Sequence, residues 1–176
     1  MPGPDPHLTA GSVATPAERV ASAMLAAAGT PASHVAFAAA VAVGWATVEI
    51  DRAAGELAAA FDVGLERFGP APRSTLLGCA CRVAAGILSG GALLVLLEPD
   101  TEGRLAASLA RLGEGPSVTW LRAEDPPAAV EALRTAGFAV SAERDGPLGP
   151  ERLIVVGPVH GPHRLLVGPS AGTIAG

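Results

Sequence analysis

Lysine, asparagine, glutamine and tyrosine are absent from this chain of 176 residues, and aromatics are limited to four Phe and two Trp. With so few rings, the interior must be filled by Ala, Val and Leu, so packing rests on many small side chains. All positive charge sits on Arg or His, and 12 basic against 17 acidic residues leave a formal charge of −5. That balance, with no Arg stripe, excludes an electrostatic footprint for nucleic acid. The Ala-rich run Val35–Val43 falls well short of the ~20 residues of a membrane helix, so no membrane partner is expected. The opening MPGPDPH lacks a basic region followed by an apolar run, so no secretory signal is read. Cys79 and Cys81 are the only cysteines. On a strand they share a face and do not readily form an ordinary disulfide. Small buried thiols in a cytoplasmic protein are expected.

Residues 1–14 are rich in Pro and Gly and are predicted to be disordered. Thr15-Pro16-Ala17-Glu18 joins an N-cap hydroxyl, a proline at the first helical position and a glutamate three residues on, which predicts a helix over Thr15–Ala28 stopped by Gly29. From Val41 the pattern changes. VAVGWATVEI reads as a buried strand, and Asp51 can cap a helix over Arg52–Phe61. Residues 66–74 read as a polar connection. Two apolar runs follow, Leu76–Leu88 and Ala92–Leu97, joined at Ser89-Gly90-Gly91, a hairpin signal.

The second part of the chain repeats that order. Ser117–Arg122 reads as a strand, Asp125-Pro126 opens a helix ending at Gly137, and Phe138–Ala142, Arg152–Val156 and Arg164–Val167 read as strands. Leu57 and Leu133 occupy corresponding places 76 residues apart, a period that suggests internal duplication. Gly157–Pro162 reads as a turn with His160 and His163 beside it, both expected to be exposed. Pro147-Leu148-Gly149-Pro150 reads as a flap or a plain loop.

The stretch Leu93–Leu121, LLVLLEPDTEGRLAASLARLGEGPSVTWL, carries the most information. A buried strand ends in Glu-Pro, a small-residue helix follows, and Gly113-Glu114-Gly115 leads into the next strand. This stretch resembles the crossover between the two halves of vicinal-oxygen-chelate proteins, the glyoxalase, bleomycin-resistance and methylmalonyl-CoA epimerase superfamily. The resemblance covers about residues 41–168. It implies an α+β fold of two βαβββ modules forming a cupped mixed sheet with a central cleft, preceded by a partly helical extension over residues 1–40 and followed by a flexible tail over 169–176. It also implies four metal-ligand positions, and these fall here on Ala42, Val95, Val118 and Val167. Alkyl side chains supply neither anionic oxygen nor imidazole, so no metal and no cofactor are expected.

Alternation along a strand then adds neighbours on the cleft face. Trp120 and Arg122 accompany Val118, and His163 accompanies Val167. The expected ligand-binding set is thus Ala42, Val95, Val118, Trp120, Arg122, His163 and Val167, with Arg122 and His163 as candidates for a catalytic role. The competing reading makes Trp120 a packed aromatic and pairs Arg122 with Glu124 or Asp125. An aliphatic cleft with few polar fixtures suits a hydrophobic small molecule. The expected function is therefore a metal-independent isomerase or cyclase, or a sequestering protein, in specialised metabolism. One alternative is a metal-dependent epimerase or lyase with His160 or His163 as unconventional ligands. Another is a non-catalytic interaction module whose N-terminal helix docks a partner. A cleft filled by side chains would favour that last reading. A homodimer is compatible with all three.

Overall fold

The computed structural model describes residue 22, residues 39–155 and residues 162–169. Apart from residue 22, the helix expected over Thr15–Ala28 lies outside the described residues, as do the first 14 residues, His160 and most of the C-terminal tail. Among the described residues the chain runs β1 (Ala39–Ala46), α1 (Ile50–Ala60), β2 (Phe68–Ser74), β3 (Cys79–Ala84), β4 (Leu93–Pro99), α2 (Arg104–Leu112), β5 (Gly115–Arg122), α3 (Pro126–Thr135), β6 (Ala139–Val140), β7 (Glu151–Val155) and β8 (His163–Val167). None of these helices is long and apolar enough to cross a membrane.

The eight strands form one mixed sheet in the order β2-β3-β4-β1-β5-β8-β7-β6. The pairs β1–β4 and β5–β8 are parallel, and β1 meets β5 antiparallel at the centre. The sheet curls until Ser74, on its first strand, hydrogen-bonds Glu151 on the seventh strand in that order.

Side-chain alternation divides the apolar residues between two faces. On the outer face, α1 lays Ala54, Leu57 and Ala58 against Val43, Trp45, Phe68, Leu94 and Leu96. Its start is held by Glu98, whose Oε2 accepts the Ile50 N–H at 2.7 Å. Glu98 is therefore a residue of β4 that caps α1. On the same face, α3 packs Ala129, Val130 and Leu133 on Leu121, Ile154 and Leu166. Asp125 caps α3 by accepting the Ala128 N–H at 3.0 Å. The inner face carries Ala42, Val95, Leu97, Val118, Trp120, Leu165 and Val167 in one cluster. Strand β4 is buried on both faces, which is why it reads as an unbroken apolar run.

Five expectations change. Helix α1 starts at Ile50 with Glu49 at its N-cap, so Asp51 lies in its first turn and does not cap it. Residues 68–74 are a strand rather than a connection. Leu76 and Leu77 belong to the turn before β3 and not to the strand. The strand expected over Phe138–Ala142 is reduced to Ala139–Val140. His163 opens β8 and is 5% exposed, so it is a buried strand residue rather than an exposed turn residue.

Candidate functional site

The curl of the sheet makes the inner face a cup, and all seven residues expected to bind ligand face into it or stand at its end. Register places Trp120 beside Ala42, Val118 beside Gly44, and Val95 on the other side of Gly44. Val118 pairs with His163 and Arg122 with Val167 on β8. The four positions at which the resemblance implies metal ligands thus converge on the floor of the cup. They are Ala42 (0% exposed), Val95 (0%), Val118 (2%) and Val167 (1%).

That floor is packed. Trp120 is fully buried and lies so close to Gly44 that a Cβ there would stand 2.9 Å from the indole, 2.8 Å from Val118 and 2.6 Å from Leu97. From the crossover, α2 contributes Leu105 to the same cluster, and Leu148 packs on it from the loop before β7. No group of three or more His, Cys, Asp or Glu side chains among the described residues is arranged to hold a metal ion. The donor set does not fit the metal centre that the resemblance implies, because alkyl groups coordinate nothing.

The polar groups of the inner face fall into two sets. The first joins α2 to β8. Ser108 Oγ lies 3.0 Å from His163 Nε2, and both side chains are buried. Burial lowers the imidazole pKa, with the Arg104 backbone and the Arg104 charge acting in opposite directions. His163 is therefore a neutral pin for the crossover helix. A free catalytic base would need access to solvent or substrate.

The second set centres on Glu151, which is 0% exposed. Its Oε1 accepts from Ser74 Oγ and its Oε2 accepts from Trp120 Nε1 at 2.9 Å. Burial raises its pKa, and the two hydrogen bonds offset that only in part. Cys79 and Cys81 lie nearby on one face of β3, with their Sγ atoms 3.8 Å apart and no disulfide between them. The hydrogen bond to Cys81, with burial, pushes the Cys79 thiol up. Chemically, the arrangement is a protonatable carboxyl with one hydroxyl and one indole N–H in an apolar surround.

Sequence reasoning passed over Ser74, Ser108 and Glu151. For Glu151 a signal existed. Counting back by two from Leu153 puts Glu151 on the inner face, where an acid is unusual. Arg122 stands at the end of β5, part-exposed, with its Nε 3.6 Å from Glu124, which agrees with the pairing read from sequence. At the rim, a cavity of about 180 Å³ lies between Pro126, Leu148, Pro150, Arg152 and Val167. Arg152 is paired there with Glu143 at 3.1 Å. The nearby start of α3 offers no anion site, since Pro126 and Pro127 have no N–H and Ala128 gives its own to Asp125.

No protein-family model and no curated protein matches the chain. Solved structures do. The methylmalonyl-CoA epimerase of Mycobacterium tuberculosis aligns with a TM-score of 0.65 at 20% identity, over 76% of this chain and 89% of the other. The Streptomyces coelicolor methylmalonyl-CoA epimerase in complex with 2-nitronate-propionyl-CoA aligns with a TM-score of 0.62 at 20% identity, over 75% and 97%. A hypothetical protein from Bacillus halodurans aligns with a TM-score of 0.59 at 14% identity, over 73% and 92%. The chain therefore has the fold of the methylmalonyl-CoA epimerases, which is that of the vicinal-oxygen-chelate superfamily. At these identities the likeness speaks for the fold alone.

Proposed function

We propose that this chain is a vicinal-oxygen-chelate-fold protein whose inner face has become core, and that it acts as a non-catalytic interaction module rather than as an epimerase. We read β1–β4 and β5–β8 as two βαβββ units. Each has a strand, a helix and three strands, and in each the first and last strands pair in parallel. The observation that carries the functional reading is the state of the four implied ligand positions. Ala42, Val95, Val118 and Val167 carry no donor, and the side chains around Trp120 leave them at most 2% exposed.

A second reading has its own support. Glu151, Ser74 and Trp120 form a buried polar group in an apolar cup, which suits a small molecule with a carbonyl or hydroxyl. On that reading the binding set is Ala42, Val95, Val118, Trp120, Arg122, His163 and Val167, and the ligand is a hydrophobic small molecule bound without metal.

The deciding experiment incubates the purified full chain with methylmalonyl-CoA in D₂O, with and without Co²⁺, Ni²⁺, Zn²⁺ or Mn²⁺, and follows deuterium at the carbon between the two carbonyls. Exchange at the buffer rate under all conditions is the expected result. Metal-stimulated exchange, or metal retained at one equivalent per chain, overturns the proposal. A panel of apolar carbonyl compounds titrated against tryptophan emission separates the two readings. Saturable quenching that disappears in Trp120→Phe moves the choice to the second reading.

A further inference from the structure

The two ends of the curled sheet meet at one place. Ser74 closes β2, at one edge, and Glu151 opens β7, next to the other. Beside their hydrogen bond, Thr75 donates its backbone N–H and its Oγ1 to the Asp145 carbonyl at 3.1 and 3.0 Å. Asp145 begins the six-residue tip Asp145–Pro150, which contains two Gly and two Pro. The base of the tip is pinned by paired backbone bonds between Arg144 and Glu151, at 3.0 and 2.8 Å. The tip itself lies directly over the carboxyl, since a Cβ on Gly146 would run into the Glu151 side chain. Leu148 then turns onto the inner cluster.

We propose that the tip Asp145–Pro150 is a clasp, held by Thr75–Asp145 over the Ser74–Glu151 pair, which opens the inner face when Glu151 loses its proton. The inference does not depend on whether the cup binds a ligand. Its basis is the set of groups facing the carboxyl. From β2 comes the Ser74 hydroxyl, from β5 the Trp120 N–H, and from β3 the thiols of Cys79 and Cys81. The nearby charges are already committed. Arg73 pairs with Asp100, Arg122 with Glu124, and Arg152 with Glu143. On the loop, the Arg144 guanidinium donates to the Glu143 carbonyl. His163 is bound to Ser108. Among the described residues no cation pairs with Glu151.

A proton on Glu151 therefore leaves a neutral acid with good partners. Its loss leaves a buried anion held by two neutral donors. Lifting the tip admits water to the anion and gives up only the Thr75 bonds and the Leu148 contact. The proton is held more tightly in the closed state. Between the ordinary carboxylate range and the closed-state pKa, each pH unit thus multiplies the open population about tenfold, after which it levels off. Cys79 and Cys81, buried in the inner cluster that Leu148 packs on, provide the readout.

The test is alkylation of Cys79 and Cys81 in the full chain by a small neutral reagent across a pH series, with Glu151→Gln run in parallel. Because the Glu151 charge itself pushes both thiols up, each rate is divided by that protein's thiolate fraction, followed by ultraviolet absorbance, and the ratio of the corrected wild-type to variant rates isolates the clasp. The ratio is expected to climb with pH and then plateau, and a flat ratio overturns the proposal. Thr75→Val, which keeps Glu151, guards against a variant that fails to fold. It is expected to label several-fold faster at every pH with the wild-type midpoint, and unchanged labelling likewise overturns the proposal.

Discussion

Glu114 and Glu151 are both carboxyls that tie distant parts of the chain together, and their proton affinities move in opposite directions. Glu114 sits in the Gly113-Glu114-Gly115 link. It accepts Thr47 Oγ1 at 2.7 Å, the Val48 N–H at 2.8 Å and Arg52 Nη2 at 2.5 Å. Burial works against its charge, yet Arg52 and these donors hold its pKa at about 2. Glu151 also has a hydroxyl and an N–H, but no cation among the described residues, and its pKa is raised. Three donors including a guanidinium outweigh desolvation, whereas two neutral donors do not. One site is a part-exposed electrostatic staple. The other is a polar knot inside the core of the cup.

The strongest way to break this comparison is truncation. Glu151→Ala leaves the Trp120 N–H and the Ser74 hydroxyl buried without their acceptor and opens a void beneath Gly146. About 3 kcal/mol of stability is expected to be lost in urea denaturation at neutral pH. Glu114→Ala frees Val48 N–H and Arg52, which water can reach, and the buried Thr47 hydroxyl, which keeps the Glu49 carbonyl as a partner, so its loss is expected to stay within about 1 kcal/mol. If the second loss equals the first, the contrast between knot and staple is wrong.

A subtler change acts on the seat of one donor. Trp120 rests over Gly44, with no room for a methyl group. Gly44→Ala must displace the indole, Val118 or Leu97, and is expected to cost about 2 kcal/mol. Gly55, on the exposed side of α1, has nothing within 4 Å of its would-be Cβ. There the same substitution is expected to stabilise by about 0.5 kcal/mol through helix propensity. Thermal melts of the two variants test both signs. A neutral Gly44→Ala would mean that the floor of the cup is looser than its burial indicates.

The parts of this molecule that can be read from sequence are those where one face of one element decides the pattern. Strands β4 and β5 and helix α3 carry their own signals, in the apolar run, the alternation around Trp120 and the Asp125-Pro126 start. Strand β2 does not. Pro70 and Pro72 argue against a strand, yet β2 is the sheet's edge and pairs only with β3, where a missing N–H is tolerated. The site divides in the same way. Alternation along β5 is enough to place Val118, Trp120 and Arg122 on one face. Alternation along β8 also places His163 there, but its burial is hidden by the Gly-Pro sequence before it, because its partner, Ser108, comes from α2, 55 residues away. The partnership of Ser74 with Glu151 spans 77 residues and arises only when the sheet curls. No local pattern encodes such a contact.

The smallest expected effect is also the most specific. Glu114→Gln keeps the shape and the oxygen that accepts from Thr47 and Val48, and removes only the charge facing Arg52. Arg52 also pairs with Glu56 at 2.8 Å, so it is not stranded. The loss at neutral pH is expected to be about 0.5 kcal/mol and to shrink in molar salt, because the pair is part-exposed. The pH dependence carries the sign. A carboxyl whose folded pKa lies below its unfolded value contributes stability above pH ~4.5, and loses it as pH falls toward the folded value of about 2. Wild type and Glu114→Gln should therefore converge in acid. For Glu151 the sign reverses. Its raised pKa favours the fold at low pH, and that advantage is lost as pH rises through the folded value, so wild type should fall relative to Glu151→Gln on going from acid to neutral. Urea midpoints collected from pH 3 to 8 for the three proteins give two difference curves, and curves of the same slope would show that the two carboxyls do not differ in kind.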